Sequence, residues 1–205
     1  MRKYPQMPSG MSYGMPIYAF DKIDGSNVRA EWRKDEEGFC SYGARRHPLK
    51  SDSDLIESVS LMEEFEEDLS EIFLNQGYEK VTCFFEFFGP NSLAGIHTEK
   101  DYGNFEVTLF DVWPDDQGIT EPDLFLERYG HLKTPDLLFE GIPGNDFYDS
   151  VLDGSLEGMS GQGVVCKGFD QGEENPTMYK VKSKKWLERV KDFADKNDLS
   201  YRDLI

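Results

Sequence analysis

Four short stretches carry side chains able to do chemistry. "KIDGSN" holds a primary amine, Lys22, two residues ahead of the Asp24 carboxylate, and closes on Asn27. "FFEFFGPN" (84–91) sets Glu86 in otherwise apolar sequence. "GQGVVCKG" (161–168) brings Gln162 between two glycines, and "YKVKS" carries Lys180 and Lys182. A strand puts those two lysines on one face, because strand side chains alternate. Held at the mouth of a pocket, Lys22 would be a nucleophile. Each stretch taken singly also has a plainer account: a surface hairpin for KIDG, an edge position or structural ion pair for Glu86, and a solvated strand face for the paired lysines.

The elements that must position them follow from the apolar pattern. Residues 17–21 and 27–33 read as strands flanking "DGSN", and Asp-Gly between apolar runs signals a hairpin. A third strand covers 37–46 and ends in a basic loop. Leu55, Val59, Met62, Phe65, Leu69, Ile72 and Phe73 recur at helical steps, which predicts one helix over 53–76, capped by Ser53 or Asp52 and ended by Gly77. Strands are expected at 80–89 and 104–113, and a short helix at 121–130 with a strand after it. A helix at 145–154, strands at 161–169 and 177–183, and an amphipathic helix at 185–198 complete the chain. Residues 1–16 read as an irregular lead-in. The pattern is an α+β domain of mostly antiparallel sheets with flanking helices. The expected organisation is a domain over 1–184 and a helical tail over 185–205, with no further barrel domain.

At 205 residues the chain can fill one sizeable core. No apolar run approaches the ~20 residues that span a bilayer, and "MRKYPQMPSGMSYGMP" lacks the apolar stretch of a signal peptide. Cys40, Cys83 and Cys166 stand singly, which reads as reduced, buried thiols in a cytoplasmic protein. His47, His97 and His131 have no zinc-ligand spacing. The net charge of −18 opposes broad nucleic-acid binding. The basic residues, however, gather in "ARRHPLK" and "KVKSKKW", so a small basic cleft on an anionic protein stands beside the simpler reading of a solvated acidic face.

In this order and at these separations, "FDKIDGSN", "YGARR", "FEFFGPN", "LFDVW", "GVVCKG" and "YKVKS" resemble the motifs of the covalent nucleotidyltransferases, the ATP-dependent ligases and mRNA capping enzymes. The match is nearest to the phage RNA ligase 2 type and covers essentially the whole chain. The resemblance implies a nucleotidyltransferase (ATP-grasp-like ligase) fold, ATP with Mg²⁺ or Mn²⁺ as cofactors, and RNA ends as partners. It implies an RNA ligase that forms lysyl-AMP on Lys22, passes AMP to a 5′-phosphate and seals with a 3′-hydroxyl. Lys180 and Lys182 would supply the cations that favour a free amine on Lys22 and offset charge on the phosphoryl oxygens. Asp24, Asn27, Arg45 (or Arg46), Glu86, Phe110 and Val165 would bind the nucleotide, with Glu86 on the ribose and Phe110 and Val165 on either side of the adenine. The family's fourth motif reads Glu-Gly-x-Val-x-Lys, and this chain has Gln162 at the metal-binding Glu. Loss of that charge weakens the pull on a cation. Gln162 leaves three readings: a ligase that tolerates Gln, with Glu157 as the substitute if the loop is rearranged, a residue changed to trap a step, or a non-catalytic binder of nucleotide or RNA ends; within the superfamily the alternative is a minimal DNA ligase.

Overall fold

The structure is a computed structural model that describes residues 1–45, 47–89, 104–169 and 175–204. Its strands are β1 (Ile17–Asp21), β2 (Ser26–Arg33), β3 (Gly38–Ala44), β4 (Lys80–Phe88), β5 (Glu106–Pro114), β6 (Leu137–Gly141), β7 (Gly163–Lys167) and β8 (Met178–Lys182). Its helices are α1 (Ser58–Glu63), α2 (Glu66–Asn75), α3 (Pro122–Tyr129), α4 (Asn145–Asp153), α5 (Lys184–Lys196) and α6 (Tyr201–Leu204). They divide into two compact units. The first takes Met1–Pro5, Gly25–Thr134 and Gly172–Asn175; the second takes Gln6–Asp24, Pro135–Gln171 and Pro176–Ile205, each for its described residues.

The first unit is built on the antiparallel sheet β3-β2-β4-β5. Its central strand β4, "KVTCFFEFF", is buried on both faces over Val81–Phe85, which explains its unbroken apolar run. One face takes the apolar side of α1 and α2, so Met62, Leu69 and Phe73 join Trp32, Phe85 and Tyr129 in one core. The Trp32 indole N–H donates to Ser70 at 2.9 Å, which satisfies the one polar atom that side chain buries.

The second unit is built on the antiparallel sheet β6-β1-β7-β8. Helix α4 lays Phe147, Tyr148 and Val151 on Ile17, Ala19, Val164, Cys166, Tyr179 and Val181. Gly154 ends the helix in the left-handed region at φ 72. By strand alternation, Tyr18, Phe20, Val165, Lys167, Lys180 and Lys182 point to the opposite face. Pro8 and Gly10 hydrogen-bond the backbone of Lys180, so part of the lead-in covers the β8 edge.

Four sequence-based expectations need correction. The Asp-Gly run is not a hairpin turn: β1 pairs with β6 and β7, while β2 pairs with β3 and β4. The helix over 53–76 is interrupted at Glu64 and Phe65, which stay in the right-handed helical region, while the Phe65 N–H bonds the carbonyl three residues back, at Met62. Tertiary contacts fix that break, since Phe65 packs edge-on against Phe85 and Glu66 accepts the Phe39 N–H. The first helix also starts later than expected, at Ser58, with no side-chain cap. Cys40 is exposed rather than buried, whereas Cys83 and Cys166 are buried.

Candidate active site

In the second unit, sheet register gathers the lysines. Lys22 follows β1 directly and continues its pairing, with its N–H donating to the Gly163 carbonyl at 3.0 Å. Gly163 in turn pairs with Lys182. Lys22 and Lys182 therefore flank Gly163 in one cross-strand row, with backbones about 10 Å apart at two strand spacings. The adjoining row is Phe20, Val165 and Lys180, and the next is Tyr18, Lys167 and Met178. Gly163 has to be glycine: its φ is +138, and a Cβ would lie 2.0 Å from the Val181 carbonyl oxygen.

The Lys22 Nζ donates to Gln162 Oε1 at 2.6 Å. None of the ion pairs among the described residues involves Lys22. Gln162 is buried, and the first residue before α5 holds its strand: Ser183 N–H donates to the Gln162 carbonyl at 3.0 Å and Ser183 Oγ to the Gly161 carbonyl at 2.6 Å. Asp24 Oδ2 accepts the Trp186 indole N–H at 2.6 Å, with the Arg189 guanidinium 3.9 Å away. The carboxylate preceding Lys22, Asp21, is buried and accepts the Ser160 N–H at 2.9 Å. Burial pushes its pKa up, and the Ser160 bond offsets this only in part.

The first unit holds the remaining candidates. Asn27 and Glu86 stand opposite each other on β2 and β4, with Thr108 next in the row on β5. Asn27 Oδ1 is buried without a hydrogen bond among the described residues, an acceptor suited to a ligand. Glu86 Oε1 accepts the Gly25 N–H at 3.1 Å, and a Cβ on Gly25 would lie 2.5 Å from the Phe87 carbonyl oxygen. Phe110 is half-buried, with Tyr4 edge-on to it at 5.0 Å. The Tyr4 hydroxyl donates to buried Asp111, and burial, then that carboxylate's charge, raise the Tyr4 pKa. Arg45 is exposed just beyond β3, and Arg46 lies outside the described residues, as do Pro90 and Asn91 of "FFEFFGPN".

So the structure brings Lys22, Asp24, Gln162, Val165, Lys180 and Lys182 together in one unit, and Asn27 with Glu86 in the other. Arg45 is not drawn into either group. Glu157 is exposed and forms no part of the lysine row. Sequence reading passed over Lys167, which is buried with its Nζ 5.2 Å from the Phe20 ring centroid, and over Tyr4 and Trp186. Lys167 stood inside the quoted "GVVCKG"; the other two had no local signal. No group of three or more His, Cys, Asp or Glu among the described residues could hold a metal ion, and Gln162 Oε1 is engaged by Lys22.

No protein-family model matches the sequence, and no curated protein matches it. Solved structures do match. A lysine-to-alanine variant of Naegleria gruberi RNA ligase with ATP and Mn superposes with a TM-score of 0.62 at 16% identity, over 88% of this chain and 53% of that one. The same ligase with PPi gives 0.61 at 16% identity, over 88% and 53%. A lysine-to-methionine variant with AMP and Mn gives 0.62 at 14%, over 93% and 60%. The chain has the fold of these ligases, α+β with two four-stranded antiparallel sheets, and spans between 53% and 60% of their lengths.

Proposed function

We propose that the protein is an ATP-dependent RNA ligase whose Lys22 carries AMP. The observation that supports this most is the row Lys22–Gly163–Lys182, in which the Lys22 amine meets a neutral amide oxygen while Lys167, Lys180 and Lys182 share the sheet face. The fold held in common with an RNA ligase solved with ATP, AMP and PPi supports the same reading. The run of motifs points within that class to the phage RNA ligase 2 type, with nicked or broken RNA as substrate and RNA repair as the setting.

The steps are three. The Lys22 Nζ attacks the α-phosphorus of ATP; an N–P bond forms, the bond to the β-phosphate oxygen breaks, pyrophosphate leaves, and the amine gives up a proton. A 5′-phosphate oxygen of RNA then displaces Lys22 from AMP. Last, a 3′-hydroxyl attacks the 5′-phosphorus, AMP leaves, and the strand is joined. Lys180 and Lys182 hold phosphoryl oxygens as negative charge grows on them. Glu86 and Asn27 bind the ribose and phosphate, Arg45 a phosphate, and Phe110 and Val165 the adenine, by aromatic and apolar contact. Mg²⁺ or Mn²⁺, bound with ATP, would offset the charge of its phosphates, with Gln162 the residue at the family's metal-binding position.

Incubation with ATP labelled at the α-phosphate tests the reading. The expected result is a labelled protein, a labelled peptide containing Lys22, and loss of the label by several orders of magnitude in Lys22→Ala. ATP binding without any transfer, over a range of Mg²⁺ and Mn²⁺ concentrations, would favour the second reading, a binder of nucleotide or RNA ends, which the Gln162–Lys22 bond motivates. Sealing assays on matched RNA and DNA nicks separate an RNA ligase from a minimal DNA ligase.

A further inference from the structure

Trp186, 1% exposed on the first turn of α5, touches two charged residues of the lysine site at once. Its indole N–H donates to Asp24 Oδ2 at 2.6 Å, and the Lys182 ammonium lies 4.4 Å from its ring centroid. The first is a short, charge-assisted bond, and the second lies well inside the ~6 Å reach of a cation–π contact. The same helical turn begins at Ser183, whose hydroxyl accepts the backbone N–H of Trp186 and donates to the Gly161 carbonyl, and whose own backbone N–H donates to the Gln162 carbonyl. We infer that Trp186 is a positioning residue for Lys22: one indole holds the Asp24 carboxylate through its N–H and the Lys182 ammonium on its ring, leaving the Lys22 amine to the neutral oxygen of Gln162.

The need for such a device follows from the sequence. Asp24 is two residues from Lys22 and is the closest carboxylate to it along the chain after Asp21, which is engaged by Ser160. An ion pair between Asp24 and Lys22 would keep the amine protonated and unreactive. The indole N–H, with the Arg189 guanidinium 3.9 Å from the same oxygen, engages Oδ2 of the carboxylate instead. The ring meanwhile directs Lys182, which shares the Gly163 row with Lys22. The geometry stands by itself; its consequence for catalysis rests on the ligase reading.

The test measures the amine without using ATP. Trace acetylation at pH 8, read by peptide mass spectrometry, reports the reactivity of Lys22 in the full chain. Trp186→Phe retains a ring for Lys182 but removes the indole N–H from Asp24 Oδ2, and should slow labelling of Lys22 about tenfold. The double variant Trp186→Phe with Asp24→Asn removes the competing charge and should restore labelling to within about twofold of wild type. Equal labelling of Lys22 in wild type and Trp186→Phe overturns the inference. So does a loss that persists in the double variant, which would mean a purely structural role. Hydrogen exchange of the Trp186 indole in the unmutated protein is an arm that no folding defect can blur: slow exchange is expected, and exchange at the rate of an exposed indole refutes the bond to Asp24. Failure to form lysyl-AMP with this labelling pattern intact would remove the ligase reading alone.

Discussion

In the sheet β3-β2-β4-β5, acidic side chains meet cations: Glu31 has Arg33 at 2.8 Å and Lys80 at 3.4 Å, and Asp115 has Lys80 and Arg2, each at 3.1 Å. In the sheet β6-β1-β7-β8, the Lys22 amine faces the uncharged oxygen of Gln162 at 2.6 Å, and the carboxylate of Asp24 is turned to an indole. Paired charges of the first kind hold a structure together and have no spare reactivity. The Lys22 amine has instead an uncharged acceptor as its partner, with no carboxylate paired to it among the described residues. The first unit is also the aromatic one, with Trp32, Phe73, Phe84, Phe85, Phe87, Phe125 and Tyr129 among its largest buried side chains.

That contrast predicts where truncation is felt. Phe85→Ala, at a wholly buried position packed by Phe65, should cost about 3–5 kcal/mol in urea unfolding. Val164→Ala in the second core removes two methyl groups at about 0.8 kcal/mol each, so about 2 kcal/mol. Comparable losses at the two sites would contradict the picture of one unit carrying the larger aromatic core. Gly163→Ala comes next, at about 2–4 kcal/mol, because its Cβ meets a carbonyl oxygen rather than a flexible side chain. Its particular signature is loss of Lys22 labelling in molecules that remain folded, since Gly163 lies between Lys22 and Lys182. A folded Gly163→Ala protein that transfers AMP at the wild-type rate would show that the row is incidental.

Gln162→Glu converts the second sheet to the habit of the first. The carboxylate would face the Lys22 ammonium, and the bond would change from neutral acceptor to ion pair. Stability should rise by about 1 kcal/mol, while acetylation of Lys22 slows in the absence of metal. A cation bound by the new carboxylate would compete for it, so added Mn²⁺ should restore part of the reactivity. No change in either stability or reactivity would mean that the Gln162 bond is not formed in solution.

How much of this was legible in the sequence depends on distance along the chain. Strand β1 spans the residues the pattern indicates, 17–21, and alternation alone puts Lys180 and Lys182 on one face. The Asp-Gly signal misled because it reports that the chain can turn, not which strands pair. The partners of β1 are more than a hundred residues downstream, in β6 and β7. The helix break at Phe65 depends on Phe85 and Phe39, which no local periodicity contains. Tyr4 and Trp186 were invisible for the same reason: the bond from Trp186 to Asp24 joins residues 162 apart, where spacing carries no information. Residue types pointed to the chemistry, but the company each side chain keeps came only with the fold.

The smallest predicted effect separates the two sheets by pH. Burial alone would raise the Asp115 pKa, but hydrogen bonds from Lys80 and Arg2 outweigh it and leave the carboxyl below its ordinary value of 3.8. Its contribution to stability is therefore present above that value and is lost as pH falls through the lowered one. Asp21 has the opposite sign. Burial raises it above 3.8, so its favourable contribution is complete below that value and is lost as pH rises through the raised one. At pH 7 Asp115→Asn should lower the stability measured by urea unfolding slightly, by a few tenths of a kcal/mol for so exposed a pair, with the deficit closing as both proteins approach pH 3. Asp21→Asn, which can still accept the Ser160 N–H, should raise the midpoint at pH 7, with the advantage shrinking on acidification. Hydrogen exchange resolved by peptide assigns each change to its own sheet. If both variants shift stability in the same direction at pH 7, the two sheets do not treat their carboxylates differently, and the division between a paired sheet and a reactive one fails at its most direct point.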